Sequence, residues 1–144
     1  MGNYSKQLDL GEIYFRGASL LLSYVYFMQV LKVKYALWAK DWQRCLHFYR
    51  DLFDGEVTLE MEVWSEVKIE NAIIGIHGGG EGKRTWTGLS IQVDDLRGYI
   101  AKMQELGGSL TSEPNDTPED PLHLAMCMDP DGNEFMMTCP RSRG

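Results

Sequence analysis

A repeated order of apolar and polar segments organises this chain. Residues 33–55 run from an apolar strand-like segment through Asp41 to an amphipathic stretch that ends at a glycine. Residues 87–108 repeat that order around Asp95. Repetition of a whole strand-helix unit predicts two modules with duplicated architecture.

Each module is predicted to contain one helix. Residues 42–53 follow Asp41, a good N-cap, and stop at Gly55, while residues 96–106 follow Asp95 and stop at a glycine pair. Both stretches place apolar side chains three or four positions apart. The pattern therefore predicts two helices that each bury one face against a sheet.

The strand pattern of the first module suggests a ligand-facing surface. In residues 57–67 the odd positions are mostly apolar, whereas the even positions include Glu60, Glu62 and Trp64. Such alternation predicts one strand with a core face and an acidic, aromatic face. Residues 68–77 form the next strand region, in which His77 is predicted to point away from that second face.

The second module ends in a predicted hairpin. A glycine-rich linker over residues 78–84 leads into the second module. A short strand over residues 109–112 follows the helix of that module. Strands over residues 123–128 and 134–138 then flank the sequence Asp-Pro-Asp-Gly-Asn, which is typical of a tight turn.

Composition narrows the possible functions. The 144 residues can bury one core, and the net charge of −7 makes a nucleic-acid partner improbable because phosphate binding needs clustered Lys and Arg. Three cysteines without metal-type spacing indicate reduced thiols and a cytoplasmic location.

The N-terminal extension, residues 1–32, contains a dense apolar run over residues 18–31. That run is shorter than the roughly 20 residues of a membrane-spanning helix, and its flanks do not match a signal peptide. We expect no membrane partner, and we expect the run to pack on the domain or on a partner chain. The domain itself is assigned to residues 33–140, with module one at 33–80 and module two at 86–140.

The order of these segments resembles the vicinal oxygen chelate superfamily, which includes glyoxalase I, fosfomycin-resistance enzymes, extradiol dioxygenases and bleomycin-resistance proteins. The motifs FYRDLFDG, VDDL and DPDGNEF carry the resemblance. It implies an α+β fold in which two βαβββ modules form a cupped mixed sheet with helices on the convex side. It also implies a ligand in the concavity and a homodimer.

The superfamily's metal enzymes place His, Gln or Glu at four equivalent strand positions. Those positions correspond here to Lys34, Ile74, Gly88 and Met136, none of which is a usual metal ligand. The resemblance is therefore closest to the metal-free, bleomycin-resistance-like members. It implies no metal, no other cofactor and no catalysis, but binding or sequestration of a small organic ligand that is cationic or aromatic.

The residues predicted to line the cup come from both modules, and His123 joins them as the most plausible histidine. This predicted ligand-binding set is Lys34, Trp38, Glu60, Glu62, Trp64, Trp86, Ser90, Gln92, His123 and Met136.

Two alternatives remain open. One is a metal-dependent lyase or dioxygenase with a displaced ligand set drawn from Glu60, Glu62, His77 and His123. The other is an interaction protein whose apolar N-terminal run recruits a partner and whose cup is filled by side chains. The role of Lys34 is also open, because its ammonium could neutralise Glu60 or Glu62, or could bind an anionic group of the ligand.

Overall fold

The computed structural model describes residues 28–141, so the predicted packing of the N-terminal run falls largely outside the described residues. Module one comprises β1 (Lys34–Ala39), α1 (Trp42–Phe53), β2 (Glu56–Leu59), β3 (Trp64–Ile69) and β4 (Ala72–Gly78). Module two comprises β5 (Thr85–Gln92), α2 (Leu96–Glu105), β6 (Ser109–Leu110), β7 (Leu124–Met128) and β8 (Asn133–Thr138).

The two modules have the same topology. Each forms a four-stranded mixed sheet, with strand orders β1-β4-β3-β2 and β5-β8-β7-β6. The first strand of each module pairs in parallel with the last, and the other pairs are antiparallel. The predicted α+β fold with tandem βαβββ modules is thus confirmed. Within residues 28–141 the two sheets share no strand pairing, so the cup is built from two sheets.

Both helices begin where the sequence predicts. The Asp41 carboxylate accepts a hydrogen bond from Arg44 N at 3.1 Å, and the Asp95 carboxylate accepts one from Gly98 N at 3.0 Å. Each aspartate thereby satisfies one backbone donor of the first helical turn. Helix α1 ends at Phe53, and the residue that caps its C-terminus in the left-handed conformation, with φ 53°, is Asp54 rather than the predicted Gly55.

One continuous core joins the modules. The buried face of α1 contributes three aromatic rings, Phe48, Tyr49 and Phe53, and all three lie against Phe135 of β8, with ring centroids 5.8–6.4 Å from it. Edge-to-face and tilted pairs of this kind add to the stabilisation that burial provides. The helix of module one therefore packs into the core of module two.

The turn between β7 and β8 forms a second connection between the modules. Its first residue, Asp129, is buried, and the Oδ2 atom accepts hydrogen bonds from Tyr49 Oη at 3.1 Å, Cys45 Sγ at 3.5 Å and Asn133 Nδ2 at 2.9 Å. The Oδ1 atom accepts from the backbone N–H groups of Asp131 and Asn133. One carboxylate thus gathers donors from α1 and from its own turn.

Two further residues of this turn reach the end of β1. Asp131 Oδ1 accepts hydrogen bonds from the backbone N atoms of Lys40 and Asp41, at 3.1 and 3.0 Å. Asn133 Nδ2 donates to Trp38 O at 3.0 Å. The turn therefore holds the segment where β1 passes into α1.

The prediction that residues 57–67 form one strand is wrong. The structure divides it into β2 and β3, an antiparallel hairpin whose turn, residues 60–63, is closed by Ser65. The Ser65 hydroxyl accepts from Met61 N at 3.0 Å and donates to Met61 O at 2.8 Å. Because this turn contains neither glycine nor proline, the alternation of polar and apolar residues continues through it and hides it.

No helix within residues 28–141 has the length and apolar character needed to cross a membrane.

We expect Asp129→Asn to lower the free energy of unfolding by about 2 to 4 kcal/mol, because an amide nitrogen would face buried donors that now bond to a carboxylate. Urea denaturation followed by circular dichroism measures the change. Asp54→Asn is the matched control, since Asp54 is exposed and asparagine tolerates its left-handed backbone. Equal stability of the two variants would contradict the role given to Asp129.

Candidate functional site

The face of the first sheet that points away from α1 carries a cluster of polar and aromatic side chains. The helix-facing positions of β1 and β4, such as Leu37, Ile74 and Ile76, are buried. The register pairs Trp38 of β1 and Trp64 of β3 with His77 of β4, so these three residues share the opposite face. We call this face the concave face of sheet one.

His77 lies at the centre of a cluster of three rings. Its imidazole stacks on Trp38 with ring centroids 4.1 Å apart and an interplanar angle of 27°, and it meets Trp64 edge-on at 6.3 Å. The prediction that His77 points away from the cup is therefore wrong. It rested on assigning the ligand-facing position to Ile74, which instead packs against the helix side.

A partly buried ion pair lies on this face. Glu66 is only 6% exposed, and its Oε1 atom accepts hydrogen bonds from the Lys34 ammonium and from Trp64 Nε1, the latter at 2.8 Å. Lys34 Nζ also lies 5.8 Å from the centroid of the Trp64 ring. The hydrogen bond from Lys34, followed by the one from Trp64, lowers the pKa of the Glu66 carboxyl. Charged partners of this kind favour the ionised carboxylate.

The burial of Glu66 is unusual, because glutamate side chains are mostly exposed. The available signal was its even position, which it shares with Trp64 on the strand. Lys34 was predicted to neutralise Glu60 or Glu62, or to bind a ligand anion. It pairs instead with Glu66, which lies 32 residues away in the sequence.

Gly75 makes room for the Trp64 side chain. A Cβ atom at this position would lie 2.1 Å from the indole ring, far inside van der Waals contact. The indole therefore lies directly over the backbone of β4. A glycine in the middle of an otherwise apolar strand was the sequence signal for this close approach.

The second sheet presents the other residues predicted for the cup. On the face away from its buried positions, Trp86 lies opposite Glu134, Ser90 opposite Met136 and Gln92 opposite Thr138. The register of β5 shifts between Trp86 and Ser90, where Gly88 adopts a φ of 74° that a side chain would strain. Trp86, Ser90, Gln92 and Met136 thus share one face, as the sequence suggested, and their role in binding remains a prediction.

A cleft of about 450 Å³ lies between β1 of the first sheet and β5 of the second. Trp38 and Trp86 line it together with Thr85, Asn133 and the glycine-rich segment over residues 79–83. The two tryptophans are 57% and 50% exposed, which is unusual for side chains of this size. We call this cavity the tryptophan cleft.

Glu60 and Glu62 do not belong to the concave face, which corrects the predicted acidic surface. They lie in the turn between β2 and β3. A Cβ atom added to Gly78 would point to the helix-facing side of the sheet and would lie 2.2 Å from the carbonyl oxygen of Glu62. The pKa of Arg50 on α1 is raised chiefly by its hydrogen bond to Asp51, and the charge of Glu60 adds to that effect. The turn therefore lies toward the helix side.

His123 lies just before β7, apart from the tryptophan cleft. Its Nδ1 atom is 2.9 Å from Pro121 O and 3.4 Å from Asp120 Oδ1, and Nε2 is 2.7 Å from Arg141 Nη2. Cys127, four positions further along the chain, is fully buried in the core. The structure therefore separates His123 from the other residues of the predicted set.

The residues that the structure describes do not form a metal site at the positions the superfamily uses. Of the four superfamily positions, Lys34 is engaged by Glu66, Ile74 is buried on the helix side, Gly88 lies in the β5 irregularity, and Met136 carries a thioether. No group of three or more His, Cys, Asp or Glu suited to a metal occurs within residues 28–141. The displaced set of Glu60, Glu62, His77 and His123 is likewise spread over separate places.

Comparisons with known proteins agree with this architecture. A model of the glyoxalase-like domain matches residues 34–138. FosX, a fosfomycin resistance protein from Listeria monocytogenes, superposes with a TM-score of 0.64 at 18% identity, covering 80% of this chain and 97% of its own. A glyoxalase/bleomycin resistance protein from Catenulispora acidiphila gives 0.57 at 20% identity, with 77% and 99% covered.

A third structure, a glyoxalase/bleomycin resistance protein/dioxygenase family enzyme from Burkholderia phytofirmans, gives a TM-score of 0.58 at 16% identity, with 72% of this chain and 94% of the other covered. No curated protein sequence matches the chain. Fold and topology define a vicinal oxygen chelate protein, as the motifs predicted. Within that superfamily, the chain belongs to the glyoxalase-like domain family.

The lowered pKa of Glu66 predicts a pH-dependent contribution to stability. Because the folded pKa lies below the ordinary value of 4.5, this contribution is present above pH 4.5 and is lost as the pH falls through the lowered value. We expect Glu66→Gln to reduce the free energy of unfolding at pH 7 by about 1 to 2 kcal/mol, since Lys34 is partly exposed to water. We also expect the variant to lose less stability than the wild type on further acidification.

Urea denaturation at pH 7, 5, 4 and 3 tests both expectations. Glu119→Gln is the control, because Glu119 is exposed. A wild type and a Glu66→Gln variant with parallel pH profiles would show that the ion pair has no such effect.

Proposed function

We propose that this chain binds a small, flat aromatic molecule in the tryptophan cleft and holds it without chemical conversion. The observation that carries the proposal is the pair of half-exposed indoles, Trp38 and Trp86, contributed by different modules to one cavity. A volume of about 450 Å³ is within the usual range of small-molecule sites.

The indole of Trp38 is held ready for stacking. One of its faces is covered by the His77 ring at 4.1 Å, and its backbone carbonyl accepts a hydrogen bond from Asn133. A side chain fixed in this way loses little conformational freedom when a ligand binds. The half-exposed remainder of the ring can then contact a ligand in the cleft.

A positive charge on the ligand is favoured by the rings themselves. Indole faces attract cations, with about 0.5 to 2 kcal/mol gained per contact. The net charge of −7 acts in the same direction over longer distances. The proposed preference thus rests on the tryptophans, because Glu60 and Glu62 lie elsewhere.

The proposed binding uses no metal. FosX has been observed with Mn(II), whereas the residues of this chain at the four superfamily metal positions are Lys34, Ile74, Gly88 and Met136. The name of the Catenulispora relative includes bleomycin resistance, which fits sequestration of an organic molecule. The homodimer suggested by the resemblance remains a prediction.

We expect isothermal titration calorimetry to show binding of N-methylquinolinium, a flat aromatic cation, and about twofold to thirtyfold weaker binding of neutral quinoline. Trp38→Ala and Trp86→Ala should each weaken N-methylquinolinium binding at least about fivefold, because each removes one stacking surface. Tyr35→Ala is the matched control, since Tyr35 is an exposed aromatic residue at an alternate position of the same strand. Unchanged affinity in both tryptophan variants would refute the proposed site.

We expect chelator-stripped protein to bind the same cation with the affinity of the untreated protein. Calorimetric titration with manganese, zinc, nickel and anaerobic ferrous iron provides the second measurement. Stoichiometric, micromolar or tighter metal binding would instead support the alternative of a metal-dependent lyase or dioxygenase.

A further inference from the structure

A second cleft lies at the other end of the concave face of sheet one. It has a volume of about 650 Å³ and opens beside the start of β1, where Lys32, Lys68, Thr58 and Asn71 line it with Glu66 at its base. Trp38, which lines the tryptophan cleft, lies four residues further along β1 than Lys34 at its start. This corresponds to roughly 13 Å at the rise of an extended strand. We call this cavity the lysine cleft, and it shares no lining residue with the tryptophan cleft.

The charges of the lysine cleft do not cancel. The single carboxylate in its lining, Glu66, is already paired with Lys34. Neither Lys32 nor Lys68 forms an ion pair within the part of the chain that the structure describes. Glu56 is the cross-strand neighbour of Lys68, but it does not line the cleft and forms no ion pair with Lys68 among the described residues, so the lining itself retains two ammonium groups.

Neutral donors accompany the two lysines. Asn71 lies in the tight turn between β3 and β4, next to Glu70 with its φ of 50°, and Thr58 lies on β2. Neither side chain makes a hydrogen bond with another of the described residues, so the amide N–H groups and the hydroxyl can donate to a ligand. Leu59 and Ile73 add apolar contacts beside these donors.

The position of Lys68 is fixed by the sheet. On β3 it pairs with Ile73 on β4 and with Glu56 on β2, so its Cβ points to the same face as Glu66. Lys32 lies close enough to Glu66 for its charge to act on that carboxylate. Lys68 therefore reaches the cleft from β3, whereas Lys32 reaches it from the segment before β1.

We propose that the lysine cleft binds an oxyanion, a carboxylate or phosphate group of a small molecule. Lys32 and Lys68 supply the opposite charge, and Asn71 and Thr58 supply directional hydrogen bonds. Ammonium groups and neutral N–H or O–H donors are the groups with which proteins bind such anions. The pairing of Lys34 with Glu66 reduces the repulsion that an uncompensated carboxylate in the lining would exert on the anion.

The test is a two-dimensional NMR titration of the full chain with inorganic phosphate and, separately, with acetate at about 20 mM salt. We expect saturable shifts of the amide signals of Lys68 and Asn71 with at least one anion. Binding of both anions supports a general oxyanion site, and binding of one identifies the group that the site selects. Addition of 0.5 M sodium chloride should weaken the binding, because exposed charges are screened.

Matched variants locate the site. Lys32→Gln and Lys68→Gln should each weaken binding about threefold to fivefold, as expected for loss of one unit charge near the anion in water. Lys102→Gln, which removes a lysine of α2, should leave the affinity within twofold. The amide spectra of the variants confirm that each is folded.

The proposal is overturned by absence of saturation with both anions, or by equal affinities in the wild type and the Lys68→Gln variant. These outcomes are independent of the tryptophan cleft, since titration with N-methylquinolinium examines a different set of residues.

Discussion

The buried carboxylate of Asp129 is the point on which the arrangement of the two modules depends. It accepts from Tyr49 and Cys45 of module one and from Asn133 and two backbone N–H groups of its own turn. Burial raises the pKa of this carboxyl, whereas these hydrogen bonds act to lower it. The cost of removing a charge from water is offset only because nearly every acceptor site is used.

The candidate site follows from this constraint. The turn that contains Asp129 also carries Asn133, which bonds to the Trp38 carbonyl and lines the tryptophan cleft. Asp131 of the same turn bonds to the backbone at Lys40 and Asp41, and thus fixes the start of α1. The position of Trp38 relative to Trp86 is therefore set by a hairpin of module two that contacts the end of β1.

Much of the fold could be predicted from the sequence because its signals are local. The aspartate caps, the apolar faces of both helices and the turn before β8 each depend on residues a few positions apart. The division of residues 57–67 could not be predicted in this way, because the turn is closed by a serine rather than by glycine or proline. Its consequence was the misplacement of Glu60 and Glu62.

The candidate site was less predictable because it depends on partners distant in the sequence. Glu66 is buried through Lys34 and Trp64, and Gly75 is required by the indole above it. The shared face of Trp86, Ser90 and Met136 followed from alternation, although the irregularity in β5 shifts the register between them. The orientation of His77 needed the register of β4, which a count of positions from a motif did not supply.

The absence of strand pairing between the two sheets within residues 28–141 has a mechanical consequence. A cavity enclosed by one continuous ladder can widen only if backbone hydrogen bonds break. Here the gap between β1 and β5 is spanned by side chains, by the glycine-rich segment over residues 79–83 and by the β7–β8 turn, so no ladder hydrogen bond opposes a small rotation of one sheet against the other. Ligands of different thickness can then be accommodated with every ladder hydrogen bond intact, and the stiffness of the cavity depends on that turn and on the aromatic core that the modules share.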